Sequence, residues 1–147
     1  TLISPFVGRI FDWHRKNGMT IETPEQDPGV LSVREIFATF KARGLDTIVL
    51  GASFRNAGQI EALAGCDKLT LSPARLAELA CDHGGLTRVL DPELVAPQDD
   101  WTPVNEAAFR WQLNDDAMAS DLLADGIRRF AKDQQALETL LIDEGVI

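Results

Sequence analysis

The fold is decided by the stretch Thr47-Ile48-Val49-Leu50, which runs directly into Gly51-Ala52-Ser53-Phe54-Arg55-Asn56. Its first four residues are β-branched or apolar, which is typical of a strand buried on both faces of a parallel sheet. The six residues that follow form a tight segment that contains both a serine and an arginine. The stretch therefore predicts a buried parallel strand that ends in a polar loop.

Strand-like and helix-like segments alternate on either side of this stretch. Residues 2–6 predict a short buried strand ended by a proline, followed by a brief helical run of apolar side chains. Residues 57–64 have helical apolar spacing that ends at a glycine, and residues 69–71 predict a third strand. Ser72 and Pro73 then predict the cap and the first residue of another helix. Three strand-plus-helix units at short spacing indicate parallel β/α architecture.

The helix before the central strand is predicted to begin at Ser32. Ser32 and Glu35 have the spacing of a capping box, in which the hydroxyl accepts from the amide of Glu35 while the carboxylate reaches back. The preceding residues, 17–29, are rich in polar and turn-forming types, which predicts a long loop. Gly44 supplies the left-handed position that is expected to stop the helix.

The last part of the chain departs from this alternation. Thr102 and Pro103 predict the start of one helix, and apolar side chains spaced from Met118 to Leu141 predict a longer helix with a core-facing stripe. No strand is predicted beyond residue 85. The expected organisation is therefore a set of βα units at 1–85 and a helical tail at 86–147.

Three βα units with a helical tail cannot close an eight-stranded barrel, which typically takes about 250 residues. The chain is then either a small open sheet or part of a barrel whose first strands are missing. Because Thr1-Leu2-Ile3 already reads as the interior of a strand and no initiator Met precedes it, the second alternative is favoured. We therefore predict an α/β fold: a partial (β/α)8 TIM barrel, roughly the last three βα units plus C-terminal helices of a single barrel domain.

Composition narrows the classes of function. With 147 residues, 45% of them apolar, the chain is long enough to bury the core of one domain. A formal net charge of −9 opposes attachment to nucleic acid or to anionic membrane surfaces, so neither is an expected partner. Two cysteines are too few for a disulfide framework or a zinc site, so we expect a cytoplasmic protein without a metal.

Serine follows each of the three predicted strands, at Ser4, Ser53 and Ser72. In a β/α barrel these positions share the face where active sites assemble, and the loops after the last two strands commonly bind phosphate. Arg9 and Arg55 follow the first two serines closely, so both guanidinium groups could converge on one anion beside a hydroxyl and backbone N–H groups. The simpler interpretation, that serine only caps the next helix, fits Ser72 best because a proline follows it.

Other titratable residues are not singled out. Asp12 and Asp27 could act as acid or base groups, but no spacing distinguishes them. His14 and His83 are isolated from any cluster typical of a catalytic triad or a metal site. The serine and arginine pairs are therefore the candidate site that the spacing supports.

Several segments resemble members of the transaldolase family. They are Leu2-Ile3-Ser4-Pro5-Phe6-Val7-Gly8-Arg9-Ile10, Asp27-Pro28-Gly29-Val30, Gly51-Ala52-Ser53-Phe54-Arg55-Asn56 and Leu63-Ala64-Gly65-Cys66-Asp67. The tail is similar too, through Trp111-Gln112 and Gly126-Ile127-Arg128-Arg129-Phe130. The resemblance spans nearly the whole chain and is that of the C-terminal portion of such a protein.

The resemblance implies a (β/α)8 barrel that moves a dihydroxyacetone unit between sugar phosphates in the non-oxidative pentose phosphate pathway. The substrates that it implies are fructose 6-phosphate, sedoheptulose 7-phosphate, erythrose 4-phosphate and glyceraldehyde 3-phosphate, and it implies no metal or organic cofactor. In the family, a lysine amine forms a Schiff base with the ketose carbonyl, and this electron sink permits carbon–carbon cleavage.

Five residues carry over from the motifs of the family. Ser4 matches a serine that hydrogen-bonds the hydroxyl end of the substrate, and Arg9 and Arg55 match the arginines that grip its phosphate. Ser53 matches the serine beside that phosphate, and Phe6 matches an aromatic residue that lines the pocket near the reacting carbon. The Schiff-base lysine belongs to an upstream strand, and no lysine of this chain matches it. The lysines present are Lys16, Lys41, Lys68 and Lys132.

The resulting expectation is that the parent protein is a transaldolase and that this chain alone is inactive, since it lacks the Schiff-base amine. Two alternatives stay open. A half-barrel with exposed sheet edges could be a non-catalytic fragment that self-associates or pairs with the missing N-terminal part. Another phosphate-binding βα-barrel, either an aldolase or an isomerase, would share the same rim.

Overall fold

The computed structural model describes residues 1–98 and 102–146. The chain separates into two compact units, Thr1–Trp101 and Thr102–Ile147. The first unit holds the three strands that the structure describes, and the described part of the second unit is helical. The expectation that both units belong to one barrel domain stays a prediction.

A three-stranded parallel sheet organises the first unit. Its strands, in spatial order, are β1 (Leu2–Ile3), β2 (Ile48–Gly51) and β3 (Lys68–Leu69). Ile3 is in register with Val49, and Gly51 is in register with Leu69. Because both pairings are parallel, the carboxyl ends of the strands meet at one edge of the sheet. The predicted parallel α/β class is confirmed, while the partial barrel stays a prediction.

Four α-helices accompany these strands in the described part of the unit. They are α1 (Val7–Lys16), α2 (Pro28–Ala42), α3 (Ala57–Glu61) and α4 (Pro73–Ala80). Short 3-10 turns lie at Pro24–Gln26 and Pro92–Leu94. The Ser72 side chain accepts from the amide of Arg75 at 3.4 Å, and Pro73 is the first helical residue. The predicted cap of this helix is therefore confirmed.

The core of the first unit draws on α1, α2 and β2. Its fully buried apolar side chains include Val7, Val30, Val33, Phe37, Val49 and Leu63. Each such side chain contributes about 1.5–3 kcal/mol relative to exposure in water. Within β2, Val49 and Gly51 are buried whereas Ile48 and Leu50 are half-buried. Because neighbouring residues of a strand face opposite sides, the predicted burial on both faces is only partly observed.

The start of α2 differs from the sequence prediction. The helix begins at Pro28 rather than near Ser32, and Asp27 is its N-cap. The Asp27 carboxylate accepts from the amide of Gly29 at 2.8 Å, and proline at the first helical position has a backbone angle already suited to a helix. Only the last two residues of the predicted loop, Pro28 and Gly29, thus belong to the helix. Gly44 has the expected left-handed conformation, with φ of 59°.

The described part of the second unit contains two helices of unequal length, α5 (Glu106–Asp115) and α6 (Ala117–Asp143). The long helix is confirmed, but the first helix does not begin at Thr102 or Pro103. Its N-cap is Asn105, whose side chain accepts from the amide of Ala108 at 2.9 Å. An asparagine cap satisfies an amide that would otherwise lack a partner, so it fixes the later start.

The apolar stripe of α6 is exposed in this chain. Ile127 is 61% exposed, Phe130 63% and Leu137 50%, so these side chains do not face a core as predicted. Among the described residues of this unit, α5 is the element that packs against α6, and a single short helix cannot cover the whole stripe.

Both cysteines are free thiols. The thiol of Cys66 lies 3.3 Å from the carbonyl oxygen of Val49, and burial raises the pKa of Cys66. Cys81 is exposed at the end of α4. In the part of the chain that the structure describes, no helix is both long enough and apolar enough to cross a membrane.

Candidate functional site

Ser53, the second residue of the loop between β2 and α3, has an unusual backbone conformation. Its φ is 66°, and among the described residues it is the one non-glycine residue with a positive φ. For a residue with a side chain this conformation costs roughly 1–2 kcal/mol, and it is found preferentially at binding sites. The turn at Ser53 places Arg55, two residues later, at the carboxyl end of the sheet.

The first turn of α1 packs directly against this loop. The amides of Val7 and Gly8 donate to the carbonyl oxygens of Ala52 and Ser53, at 3.0 and 2.8 Å. A side chain at position 8 would place its Cβ 2.1 Å from the Ser53 oxygen and 2.6 Å from Cζ of Arg55. Glycine is therefore required there, because real Cβ atoms do not approach other atoms so closely.

Arg55 is held by two neighbours. Its Nη1 donates to the hydroxyl and to the carbonyl oxygen of Ser53, both at 3.1 Å. Its Nε lies 3.0 and 3.2 Å from the two carboxylate oxygens of Asp12, and its Nη2 lies 2.6 Å from one of them. Two-point contacts of this kind fix the plane of a guanidinium group.

A buried polar chain anchors the backbone of the same loop. The amide of Arg55 donates to Oε1 of Gln59 at 2.7 Å, and Nε2 of Gln59 donates to the Asp27 carboxylate at 2.6 Å. Gln59 is fully buried and Asp27 is 1% exposed. Since the other Asp27 oxygen caps α2, this carboxylate links the helix start to the loop. The geometry gives Asp27 a structural role, in place of the acid or base role considered from the sequence.

Arg9 and Phe6 form a second pair at this edge. The guanidinium of Arg9 stacks over the Phe6 ring at 4.9 Å from its centroid, and Phe6 is 40% exposed. Phe6 also bridges Ala52 in the parallel direction, which extends the pairing of β1 and β2. The loop after β1 and the loop after β2 therefore lie side by side.

The five residues that the sequence selects are thus brought to one edge of the sheet, but not into one contact cluster. Ser53 touches Arg55, and Arg9 touches Phe6. Ser4 is exposed in the loop after β1, and no hydrogen bond in the described residues joins it to the other four. The amides of Val7 and Gly8 are occupied by carbonyl groups, so these two do not serve as free anion donors.

Charged and hydroxyl donors stay exposed at the carboxyl edge of the sheet. Arg55 is compensated by the Asp12 carboxylate, while Arg9 lies over an aromatic ring instead of an acid. Arg75, on α4, places its Nη1 3.4 Å from the carbonyl oxygen of Arg55 and pairs with Glu78. Hydroxyl and guanidinium donors suit an anionic oxygen-rich group such as phosphate.

The lysines of the chain lie elsewhere. Lys41 pairs with Asp67 at 2.8 Å and lies over the Phe37 ring, and the other three are exposed. A pocket of about 420 Å³ lies near α3 and α4, but its lining is mainly apolar and carries the acidic Glu61 and Asp82. Within residues 1–98 and 102–146, no group of three or more acidic, cysteine or histidine side chains is placed to hold a metal ion.

The sequence interpretation does not single out Gly8 or Gln59, and it considers Asp12 only as a possible acid or base. Gly8 and Asp12 lie on α1, and Gln59 lies on α3, whereas the loop that they hold follows β2. The contact between Asp12 and Arg55 spans 43 positions of the chain. Nothing in local spacing signals such a contact, although a glycine directly before Arg9 is a local hint of close backbone approach.

The fold and this edge define a parallel β/α protein with hydroxyl and guanidinium donors gathered where the strands end. A family model described as Transaldolase/Fructose-6-phosphate aldolase matches residues 1–141. The chain belongs to this transaldolase and fructose-6-phosphate aldolase family.

Known relatives agree with this assignment. The chain is 58% identical over 143 residues to a protein named Transaldolase from Rhizobium etli (strain CIAT 652), a match that covers 97% of this chain and 44% of the relative. It is 56% identical over 138 residues to a Transaldolase from Marinobacter nauticus, covering 93% of this chain and 43% of that protein. A Transaldolase from Agrobacterium fabrum is 54% identical over 143 residues, with 97% and 44% covered. The chain thus spans less than half the length of these relatives.

Proposed function

We propose that this chain supplies the phosphate-binding side of a transaldolase, which transfers a dihydroxyacetone unit between sugar phosphates in the non-oxidative pentose phosphate pathway. The observation that carries the proposal is the Arg55 guanidinium held beside the Ser53 hydroxyl at the carboxyl end of β2. In β/α proteins that edge is where substrates bind, and the late loops of barrels commonly take phosphate. The names of the relatives support the transferase activity, and the chain belongs to the transaldolase and fructose-6-phosphate aldolase family.

Each of the selected residues has a role in this proposal. Arg9 and Arg55 neutralise the phosphate, and the Ser53 hydroxyl donates to one of its oxygens. Ser4 binds the hydroxyl end of the sugar, and the exposed ring of Phe6 lines the pocket near the reacting carbon. The substrates are fructose 6-phosphate, sedoheptulose 7-phosphate, erythrose 4-phosphate and glyceraldehyde 3-phosphate, handled in the cytoplasm without a metal or an organic cofactor.

The Schiff-base step needs an amine that this chain does not place near the site. Arg55 cannot replace it, because a guanidinium stays protonated and is a poor nucleophile. The missing lysine, and the acid and base groups that work with it, would come from the part of the barrel that precedes this chain in its longer relatives. The proposal therefore separates binding, which this chain performs, from covalent chemistry, which it does not.

We expect the 147-residue chain to bind fructose 6-phosphate without turning it over. Binding, measured by calorimetry, should weaken at least about tenfold in Arg55→Ala, since a charge-assisted contact is worth about 1.5–3 kcal/mol. Arg110→Ala, which removes an exposed guanidinium from α5, is the matched control and should leave binding unchanged. Turnover above background in a coupled assay with erythrose 4-phosphate would contradict the separation of roles.

A second candidate function is a non-catalytic half-barrel that associates with another copy or with the missing N-terminal part. It is favoured by the exposed apolar stripe of α6 and by the short strands β1 and β3 at the edges of the described sheet. Unpaired edges and apolar patches are usually covered in stable proteins. We expect sedimentation velocity to show a dimer or larger species, and a well-folded monomer at all concentrations would count against this candidate.

Another sugar-phosphate enzyme of the same architecture is the remaining alternative, because the family description includes fructose-6-phosphate aldolase. An aldolase would release the three-carbon fragment to solvent, whereas a transaldolase holds it for an aldose acceptor. The same rim would bind phosphate in an isomerase. All of these activities require phosphate binding, so phosphate binding by this chain does not distinguish them. Whether the complete protein needs an aldose acceptor for turnover distinguishes a transaldolase from an aldolase.

A further inference from the structure

We propose that Asp12 is a positioning residue for the anion site: it holds one edge of the Arg55 guanidinium so that the other edge faces the bound phosphate. The inference rests on the proposed function, since it concerns the same site. It adds a residue on α1, far from Arg55 in sequence, that the carried-over motifs do not include.

The contacts divide the guanidinium into two edges. Asp12 occupies the edge formed by Nε and Nη2, at distances of 2.6 to 3.2 Å. The edge formed by Nη1 and Nη2 points away from it. Nη1 donates to the hydroxyl and to the carbonyl oxygen of Ser53, both at 3.1 Å, so both of its N–H groups are used. Since the hydroxyl oxygen accepts from Nη1, the hydroxyl proton of Ser53 remains available to donate. An anionic oxygen at this second edge would therefore meet two donors, the remaining N–H of Nη2 and the Ser53 hydroxyl.

The position of Asp12 depends on the packing of α1 against the loop. Gly8, one helical turn earlier, brings the backbone of α1 to 2.8 Å from the Ser53 oxygen. Residues four apart lie on the same face of a helix, so the Asp12 carboxylate comes to lie on the side of α1 that faces Arg55. The same close approach that requires glycine at position 8 thus places the carboxylate.

Asp12 has two opposing effects on anion affinity. Its negative charge weakens the positive potential at the site, but its two-point contact removes most of the rotational freedom of a long side chain. The Arg55 side chain is 37% exposed, so without Asp12 it would sample several rotamers in water. Because the carboxylate and the anion would lie on different edges of the guanidinium, we infer that the ordering of Arg55 raises anion affinity more than the negative charge of Asp12 lowers it.

A purely stabilising ion pair would behave differently. Exposed ion pairs contribute little to stability, and the Asp12 side chain is 53% exposed. Removing the carboxylate should therefore leave the melting temperature nearly unchanged while changing phosphate binding. A change in phosphate affinity without a change in melting temperature would therefore indicate that Asp12 positions Arg55.

The test compares five versions of the 147-residue chain: the natural sequence, Asp12→Asn, Asp12→Glu, Asp46→Asn and Arg55→Ala. Inorganic phosphate and fructose 6-phosphate are titrated into each ¹⁵N-labelled protein, and binding is followed by NMR, including the Nε–H signal of Arg55. Asp46 is the matched control because it is exposed and precedes β2, whereas the site follows it. Asp12→Asn and Asp46→Asn remove the same charge.

We expect Asp12→Asn to bind both ligands about five- to tenfold more weakly although the protein becomes less negative, because the guanidinium loses its fixed plane. Its Arg55 Nε–H signal should broaden or exchange rapidly with water. Asp12→Glu keeps the carboxylate and should recover most of the affinity, whereas Asp46→Asn should bind as the natural sequence does.

The outcomes separate this inference from the proposed function. Unchanged or tighter binding in Asp12→Asn, with binding still lost in Arg55→Ala, overturns the positioning role and leaves the phosphate site in place. Absence of saturable binding by the natural sequence, or full binding by Arg55→Ala, overturns the phosphate site and the positioning role together.

Discussion

Replacing Gln59 with leucine is expected to lower the free energy of unfolding of the first unit by about 3–5 kcal/mol, because the change removes a partner from the buried Asp27 carboxylate and from the part-buried Arg55 amide. The Asp27 carboxylate, only 1% exposed, would keep just its bond to the Gly29 amide. The Arg55 amide would lose its acceptor at 2.7 Å. Leucine is not smaller than glutamine, so the loss does not come from a cavity.

The measurement is a urea titration followed by the NMR signals of buried residues of this unit, such as Val49 and Phe37. These amides report on the first unit alone, whereas far-UV circular dichroism would also include the long α6. Gln135→Leu, on the exposed surface of α6, is the matched control and should change stability by less than about 0.5 kcal/mol.

A second variant shows whether the buried charge causes the loss. Adding Asp27→Asn to Gln59→Leu removes the unpaired carboxylate while keeping a good N-cap for α2. The double variant should recover about 1–2 kcal/mol relative to Gln59→Leu alone, since a neutral amide is less costly to bury than a charge. A double variant no more stable than the single one would contradict this explanation of the Gln59→Leu result.

Much of the fold follows from local sequence signals. The apolar run of β2 predicts its strand, and Ser72 caps α4 as its spacing predicts. The start of α2 was mispredicted because Asp27-Pro28-Gly29 fits both a turn and a helix N-terminus. The packing of Val30 and Val33 in the core favours the helix, and packing is not visible in a run of turn-forming residues.

The candidate site was predictable only in part. Ser53 and Arg55 are two positions apart, so their contact follows from the loop alone. Asp12 and Gln59 reach the same loop from two different helices, and their contacts depend on how α1 and α3 pack against the end of β2. The resemblance to transaldolases agrees with the residues selected by spacing and adds Phe6, but it gives no role to Asp12 or Gln59, which hold Arg55 in place.

Replacing Gly8 with alanine should disrupt the site and the unit that carries it. The new Cβ would lie 2.1 Å from the Ser53 carbonyl oxygen, which is a backbone atom and cannot rotate away. The first turn of α1 must then shift, and the 2.8 Å bond between the Gly8 amide and that oxygen is strained or lost. We expect a loss of about 2–4 kcal/mol of stability from overpacking together with the lost hydrogen bond.

Phosphate binding should fall further than the loss of stability alone would explain. The Cβ would also lie 2.6 Å from Cζ and Nη1 of Arg55, so the guanidinium is displaced from the Ser53 hydroxyl as well as from Asp12. At a temperature where the variant is still folded, we expect phosphate affinity to drop at least about tenfold, because the loss of one charge-assisted contact is worth that much. Calorimetry with inorganic phosphate measures it.

Helix propensity alone predicts the opposite effect of Gly8→Ala on stability, so the measured sign shows whether the close contact exists. Alanine in an α-helix is favoured over glycine by about 0.8–1.0 kcal/mol, so propensity alone would make Gly8→Ala more stable. Gly85→Ala is the matched control, because a Cβ built at Gly85 meets no atom within 4 Å. That control should be neutral in stability and binding. If Gly8→Ala changed stability and phosphate affinity as little as Gly85→Ala, α1 would not approach Ser53 this closely in solution. The positions described here for Arg55 and Asp12 would then be wrong.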